Sequence, residues 1–334
     1  MASSGLNFNP TRPAMSTLTT PAPAPETSTD AHAPDRFAAR DANPLLADRS
    51  HLSQDQQDFL FEVNGFQVLH QVIEPDHLQQ INDWIDSHDL DALQPGDWVG
   101  NAEVHRYGSK DGLNFQNVMT GGEPFTKLID HPGWVDRARR YIEGGAHRLA
   151  IDETFLNIRN SGGFIPIHSG GAIRRFTANF RHATTGEWFV GQINVLMALT
   201  DVGPGDGATT VIPGSHKSAM QFPEHERAWE GGNEISGADQ PGMVEVHLRA
   251  GDALMFTDAI CHGSTPRTNP GQRRVCIYRY APHLLAPRMN YVPDPQWIAT
   301  LSETQRDLVM PTPPRMRPGQ VLRAEDFEHD PVGN

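Results

Sequence analysis

The sequence predicts a mainly β fold, an antiparallel double sheet of the jelly-roll kind with flanking helices, and three observations carry that prediction. From about Leu149 onward, short apolar runs recur at irregular spacing, at 149–158, 164–168, 188–200, 209–212, 243–249, 253–257 and 273–280. The segments between them include Gly- and Pro-rich turns such as Asp201-Val202-Gly203-Pro204-Gly205-Asp206-Gly207 and Pro213-Gly214-Ser215-His216. No amphipathic helical pattern separates these runs, which argues for antiparallel pairing rather than for βαβ units.

Taken in order, residues 1–50 read as a disordered tail, because segments such as Thr19-Thr20-Pro21-Ala22-Pro23-Ala24-Pro25 bury too little surface to offset the entropy of ordering. Met15 offers a second start for translation within it. Order is expected to begin at Ser53-Gln54-Asp55-Gln56, a capping-box pattern ahead of Phe59, Leu60 and Val63 at helical spacing, with a stop at Asn64-Gly65. Phe66-Gln67-Val68-Leu69 alternates as a strand. Glu74-Pro75-Asp76 then opens a helix that carries Leu78, Ile81, Trp84 and Ile85 on one face. Gly and Pro at 95–96, 121–122, 124 and 132–133 mark loops, followed by a helix from Trp134 to Ile142. After Pro295 a last helix with Trp297, Ile298, Leu301 and Leu308 packs back on the sheet. The resulting organisation is a tail at 1–50, a jelly-roll domain at 51–310 and a C-terminal tail at 311–334, with no internal repeat.

The bulk properties set the function classes aside one by one. At 334 residues the chain is long enough for a substantial core. A hydrophobic share of 37% and a mean hydropathy of −0.49 are low, as a polar tail would make them. A formal charge of −14 argues against an extended nucleic-acid surface and for small-molecule partners. Cys261 and Cys276 are too few for a disulfide framework or a cysteine zinc site, which fits a reducing, cytoplasmic setting. Neither a membrane span nor a secretory leader is present in the pattern of the sequence.

Candidate chemistry gathers at strand ends. Phe164-Ile165-Pro166-Ile167-His168 is an apolar run ending in a histidine, and Cys261-His262-Gly263-Ser264 supplies a second about 94 residues later, with Arg273 eleven residues beyond that. A jelly roll places strand ends around the mouth of its cavity, and imidazole suits ferrous iron. In Arg273-Arg274-Val275-Cys276-Ile277-Tyr278, alternation puts Arg273 on the apolar face with Val275 and Ile277. An arginine there calls for a buried anion, and the distal carboxylate of 2-oxoglutarate is a planar partner for its guanidinium, with Ser264 as a further donor. Each histidine alone, among sixteen, reads more simply as a polar loop residue, and Arg273 alone as a solvent-facing one. The combination is what carries the iron and 2-oxoglutarate reading.

With these residues in place, the chain resembles the phytanoyl-CoA dioxygenase family of iron and 2-oxoglutarate dependent oxygenases over about Phe59 to Leu308. The shared features are Asp58-Phe59-Leu60 with Gly65-Phe66-Gln67-Val68, Leu199-Thr200-Asp201, Ile212-Pro213-Gly214-Ser215-His216-Lys217, and Gly251-Asp252-Ala253-Leu254-Met255-Phe256 leading into His262. The resemblance implies a double-stranded β-helix (jelly-roll, cupin-like) and a reaction of iron(II), 2-oxoglutarate and O2 with a substrate C–H bond. It implies His168 and His262 as metal ligands, Arg273 as the co-substrate arginine, Asn157, Gln192 and Thr209 as weaker co-substrate contacts, and a structural role for His216.

One position departs from the family pattern: Gly170 stands where a metal-binding aspartate is expected, two residues after the first histidine. Three readings remain open, and the glycine favours the first, radical halogenation of a substrate C–H bond, with hydroxylation as runner-up. The vacated position holds chloride and the enzyme halogenates, as in aliphatic halogenases of the same superfamily, with Ser169, the backbone N–H groups of Gly170 and Gly171, and Arg174 holding the halide. Alternatively, water or a remote carboxylate fills it and the enzyme hydroxylates; Asp152 and Glu153 are the acids nearest in sequence. In the third reading the chain has lost its chemistry and binds a ligand. For the substrate, Arg174, Arg175, Arg181 and His182 suggest a small molecule with an anionic group, although a solvated basic loop explains each of them as simply. Trp188, Phe189 and the loop 224–239 suggest a lid.

Overall fold

The computed structural model describes residues 35–99, 102–105, 112–142, 149–160, 162–168, 179–181, 188–218, 220, 222–223, 234–283 and 294–310. The chain divides into Met1–Asp35, of which only Asp35 is described, and a compact unit Arg36–Asn334. Eight strands form the main antiparallel sheet, in the order β1 (Phe66–Leu69), β11 (Ala253–Thr257), β8 (Ile193–Ala198), β13 (Arg273–Pro282), β5 (Leu149–Arg159), β4 (Leu113–Gln116), β3 (Ala102–His105) and β2 (Trp98–Val99). A smaller sheet runs β10 (Val244–Val246), β9 (Thr209–Val211), β12 (His262–Ser264), and β6 (Asn179–Arg181) pairs with β7 (Trp188–Val190).

Two apolar layers follow from the period-2 alternation of the central strands. On β13, Val275 and Ile277 join Phe66, Val68, Phe155, Leu196, Leu254 and Phe256 in an inner core that also takes Val211 and Val246 from the smaller sheet. Cys276, Tyr278 and Tyr280 turn the other way, into an outer core with Leu156, Val195, Met197 and Met255. Helices cover that outer face: α2 (Gln54–Asn64) through Phe61, α3 (Pro75–Asp86) through Ile81 and Ile85, α4 (Glu123–Thr126) through Phe125, and α5 (Val135–Tyr141) through Val135 and Ala138. The C-terminal α6 (Pro295–Thr300) and α7 (Glu303–Val309) add Trp297, Ile298, Leu308 and Val309. The architecture is therefore helices on one side of the large sheet and the small sheet on the other, with a larger helical share than a mainly β reading implies. No helix among the described residues is long and apolar enough to cross a membrane.

Local signals account for most boundaries. The Ser53 hydroxyl accepts from Gln56 N while the Gln56 side chain accepts from Ser53 N, and Gly65 closes α2 at φ +79°. The same reciprocal box at Ser302 and Gln305 restarts the chain as α7, so the expected last helix is two short ones. The expected strand at 188–200 is likewise split, because Gly191 and Gln192 interrupt β7 and β8. Residues 164–168 form no strand beyond an isolated bridge at His168. Strands β2, β3 and β4 lie in a region read as loops; they pair in sequence onto β5.

Order also begins earlier than expected. Residues 36–50 pack on the main unit: Phe37 and Leu46 are buried, α1 spans Ala38–Asp41, and Arg40 donates to Asp252 at 2.6 Å with both side chains shielded from solvent. The low-complexity composition of residues 1–34 masks this change, since Phe37, Leu45 and Leu46 alone supply the apolar anchors. Residues 1–34 and the expected C-terminal tail at 311–334 lie outside the described residues.

Candidate active site

His168 and His262 meet across an antiparallel bridge. Their backbones exchange hydrogen bonds, His168 N to His262 O at 2.8 Å and His262 N to His168 O at 3.0 Å, and their rings stand 4.0 Å apart between centroids. Each Nδ1 lies on the carbonyl two residues earlier, Pro166 O at 2.8 Å and Ile260 O at 2.7 Å. A carbonyl accepts only, so each Nδ1 carries the proton and each Nε2 presents the lone pair. Phe256 sets its ring edge-on to His262 at 4.9 Å. Burial, and then the neighbouring His168, push the pKa of His262 down to about 3, which keeps this imidazole neutral and able to ligate.

At the other end of the inner face lies a buried guanidinium. Arg273 is 3% exposed; it donates to Asn157 Oδ1 at 3.1 Å and to Thr209 Oγ1 at 3.2 Å, and its Nε has no hydrogen-bond partner. Burial first, and then Arg159 and Arg267, hold its pKa well below the ordinary arginine value. Arg267 is answered by Asp206 at 3.1 Å. Arg159, directly opposite Arg273 in the β5–β13 register, donates to Ser264 Oγ at 3.0 Å. That oxygen also accepts from Ile165 N at 2.7 Å, so both acceptor positions are used and the O–H remains to donate. The arrangement is a cradle of N–H and O–H donors carrying excess positive charge, which suits a carboxylate.

The structure thus brings Arg273, Asn157, Thr209 and Ser264 together, with Arg159 as a member that sequence reasoning missed. Its signal was available: Asn157 and Arg159 alternate with apolar Leu156 and Ile158 on one strand. Gln192 is corrected in position. It precedes β8 at the end of the sheet remote from Arg273, where its amide donates to Asp152. Glu153 pairs with Arg279 at 2.7 Å, so both acids nearest in sequence to the first histidine are engaged with their own partners. His216 is buried, with Nε2 3.0 Å from Glu62 O and its pKa lowered to about 4, chiefly by burial. Ser169, Gly170, Arg174, Arg175 and His182 lie outside the described residues, as do the side chain of Arg181 and residues 224–233 of the expected lid. Among the described residues no group of three His, Cys, Asp or Glu side chains forms a metal cluster. The neutral His262 imidazole, the His168 ring bridged beside it and an anion cradle on the same face nevertheless fit a divalent iron chelated by a dicarboxylate.

Comparison with known proteins points the same way. The model of the phytanoyl-CoA dioxygenase family matches residues 61–275, well over half of the chain. Over 86 residues the chain is 34% identical to the dioxygenase FUM3 of Gibberella moniliformis, which is 26% of this chain and 24% of that protein. Over 104 residues it is 31% identical to the dioxygenase cdmA of Talaromyces verruculosus, 29% of this chain and 31% of that protein. These matches span a third or less of the curated relatives. The fold is similar to that of HygX from Streptomyces hygroscopicus, crystallised with nickel and 2-oxoglutarate, at 19% identity and a TM-score of 0.56 over 69% of this chain and 87% of that one.

Proposed function

The chain belongs to the phytanoyl-CoA dioxygenase family, whose members are iron(II)/2-oxoglutarate-dependent oxygenases, and on that premise we propose that it oxygenates an unactivated C–H bond of a small molecule. His168 and His262 hold the iron, and Arg273 holds the distal carboxylate of 2-oxoglutarate with Ser264, Asn157 and Thr209 around it. The observation that carries this reading is the buried Arg273 with an unpartnered Nε beside Arg159. A guanidinium taken out of water next to a second one is strongly unfavourable unless an anion arrives.

When bound, iron(II) would activate dioxygen, the four-electron oxidant, with two electrons coming from 2-oxoglutarate as it is decarboxylated to succinate and CO2 and two from the substrate C–H bond. The protein's own part is positional. Pro166 O and Ile260 O hold the Nδ1 protons of the two histidines, which leaves each Nε2 for the metal. Arg273 and Ser264 fix one end of the co-substrate, while Val275, Ile277, Phe155 and Leu196 wall the inner face and keep bulk water away from the reacting carbon.

Oxygenation is favoured because the family and both partial relatives are named as dioxygenases. Gly170 favours a second reading, halogenation, with chloride at the vacated position and Ser169 and Arg174 beside it. Anaerobic titration with iron(II) and 2-oxoglutarate tests the site. A visible metal-to-ligand charge-transfer band that ignores added chloride supports the oxygenase. A band that shifts saturably with chloride supports the halogenase, and a Gly170→Asp variant should then lose halide incorporation. Absence of the band overturns both and leaves a ligand-binding protein.

A further inference from the structure

Beyond the histidine pair, the inner face of the large sheet ends in a polar patch that no step above uses. Asn194 is registered opposite Phe256 on β11 and Arg279 on β13, so the three side chains share the face that Phe256 turns towards His262. Arg279 is held by Glu153 at 2.7 Å and lies over the Phe155 ring at 5.2 Å. Asn194 is fully buried, and one terminal atom of its amide lies 2.9 Å from Asp258 Oδ1. A carboxylate oxygen fixes that atom as the NH2 group, so the other is the carbonyl oxygen; it is buried and has no hydrogen-bond partner. A buried carbonyl in that state is unfavourable and calls for a donor. The donor is not the co-substrate, since Arg279 lies six residues along β13 from Arg273, roughly 20 Å at strand rise.

We propose that Asn194, oriented by Asp258, is a specificity-determining residue that accepts a hydrogen bond from a hydroxyl or protonated amino group of the substrate. This rests on the oxygenase reading of the same site. Carbonyl and carboxylate oxygens together repel an anion, so the substrate group on this side is a neutral or cationic donor, opposite in sign to the anion suggested by the arginines at 174–181. Asp258 is a positioning residue: its carboxylate holds the amide in the orientation that presents the oxygen.

The test uses the full-length protein loaded anaerobically with iron(II) and 2-oxoglutarate, and trans-4-aminocyclohexanol as a probe with both donor types on a saturated ring. Cyclohexanecarboxylate and cyclohexyl phosphate serve as anionic counterparts. The proposal expects the aminocyclohexanol to perturb the charge-transfer band saturably and the anions not to. Asn194→Leu should weaken that response by roughly tenfold or more, the effect of one net hydrogen bond lost, while the band formed by iron and 2-oxoglutarate alone persists. If the Leu variant does not fold, Asn194→Ala carries the same expectation. Cyclohexanol and cyclohexylamine then distinguish the hydroxyl from the amine. A response to the anions, no response to the aminocyclohexanol, or an unchanged response in the variants overturns the proposal. Failure of the wild-type band itself overturns the oxygenase reading and this inference with it.

Discussion

Replacing Arg273 by Leu separates a co-substrate arginine from a structural one, because the two roles predict opposite stability changes. In the ligand-free protein the guanidinium makes two hydrogen bonds, to Asn157 and Thr209, but sits 3% exposed opposite Arg159. Two neutral-acceptor bonds to a charged donor contribute about 1.5–3 kcal/mol each, whereas a buried charge without a counter-ion costs several kcal/mol. The ligand-free variant should therefore be as stable as the parent or more so. Its loss appears on adding 2-oxoglutarate: a bidentate carboxylate pair lost from a dry site removes about 3–6 kcal/mol, weakening binding by about a hundredfold to ten-thousandfold. Thermal unfolding under nitrogen, with iron(II) present and 2-oxoglutarate at about a hundred times the parent's Kd, should show about 2.7 kcal/mol of ligand stabilisation in the parent and almost none in the variant. A variant that keeps the full ligand-induced shift, or one that loses several kcal/mol before any ligand is added, would refute the assignment.

Three further predictions concern the fold. His131, His216 and His262 have pKa values lowered to about 4, 4 and 3 against 6.5 in the unfolded chain, mainly by burial. The unfolded chain therefore takes up protons first. The stability these histidines contribute is complete above pH 6.5 and falls as pH drops towards 4 and 3, so urea midpoints of the metal-free protein should decline across that window; a flat profile contradicts it. Asp252→Asn removes the charge facing Arg40 at 2.6 Å, while Gln71 N and Arg249 N also donate to that carboxylate, so it should destabilise by about 3–5 kcal/mol and expose residues 36–50 to limited proteolysis. Gly65→Ala forces a Cβ to 2.5 Å from His216 Nδ1 at a φ of +79°, which should cost more than the ~1–2 kcal/mol of the left-handed backbone alone, read as a lowered midpoint.

Local and long-range features of the fold were unequally legible in the sequence. Elements with local signals could be placed from it: Ser53 and Gln56 announce α2, Pro75 opens α3, and the alternation at Arg273–Tyr278 assigns each side chain its face. Elements defined by long-range pairing were hidden. β2 to β4 are only two to four residues long, too short for their alternation to stand out, and acquire strand geometry by pairing one after another onto β5. Asn194 belongs to the site face because of its registers to Phe256 on β11 and Arg279 on β13, which no local pattern encodes, and while alternation gives Arg159 its face, only the register sets it opposite Arg273. Gln192 shows the same limit: proximity in sequence to β8 says nothing about which end of the sheet it occupies, and it lies at the end away from Arg273. The helix at Ala38–Asp41 escaped notice because composition was averaged over a window dominated by Pro, Ala and Thr.

The bridge between His168 and His262 joins segments about 94 residues apart. Loop-closure entropy grows only slowly with such a length, and here it is met by the backbone bonds of Ile165 and His168 to Ser264 and His262 rather than by the ion. On the proposed assignment an arriving metal would find its two imidazoles already gathered, so its affinity would not be reduced by a collecting step. The converse also holds. If His262–Ser264 peels away from Thr209–Val211, the bridged histidine pair is carried away from Thr209 and from the Arg273 that Thr209 holds. Escape of the metal and escape of the co-substrate should then share one opening event, and their dissociation rates should respond together to any change that loosens this three-residue zipper.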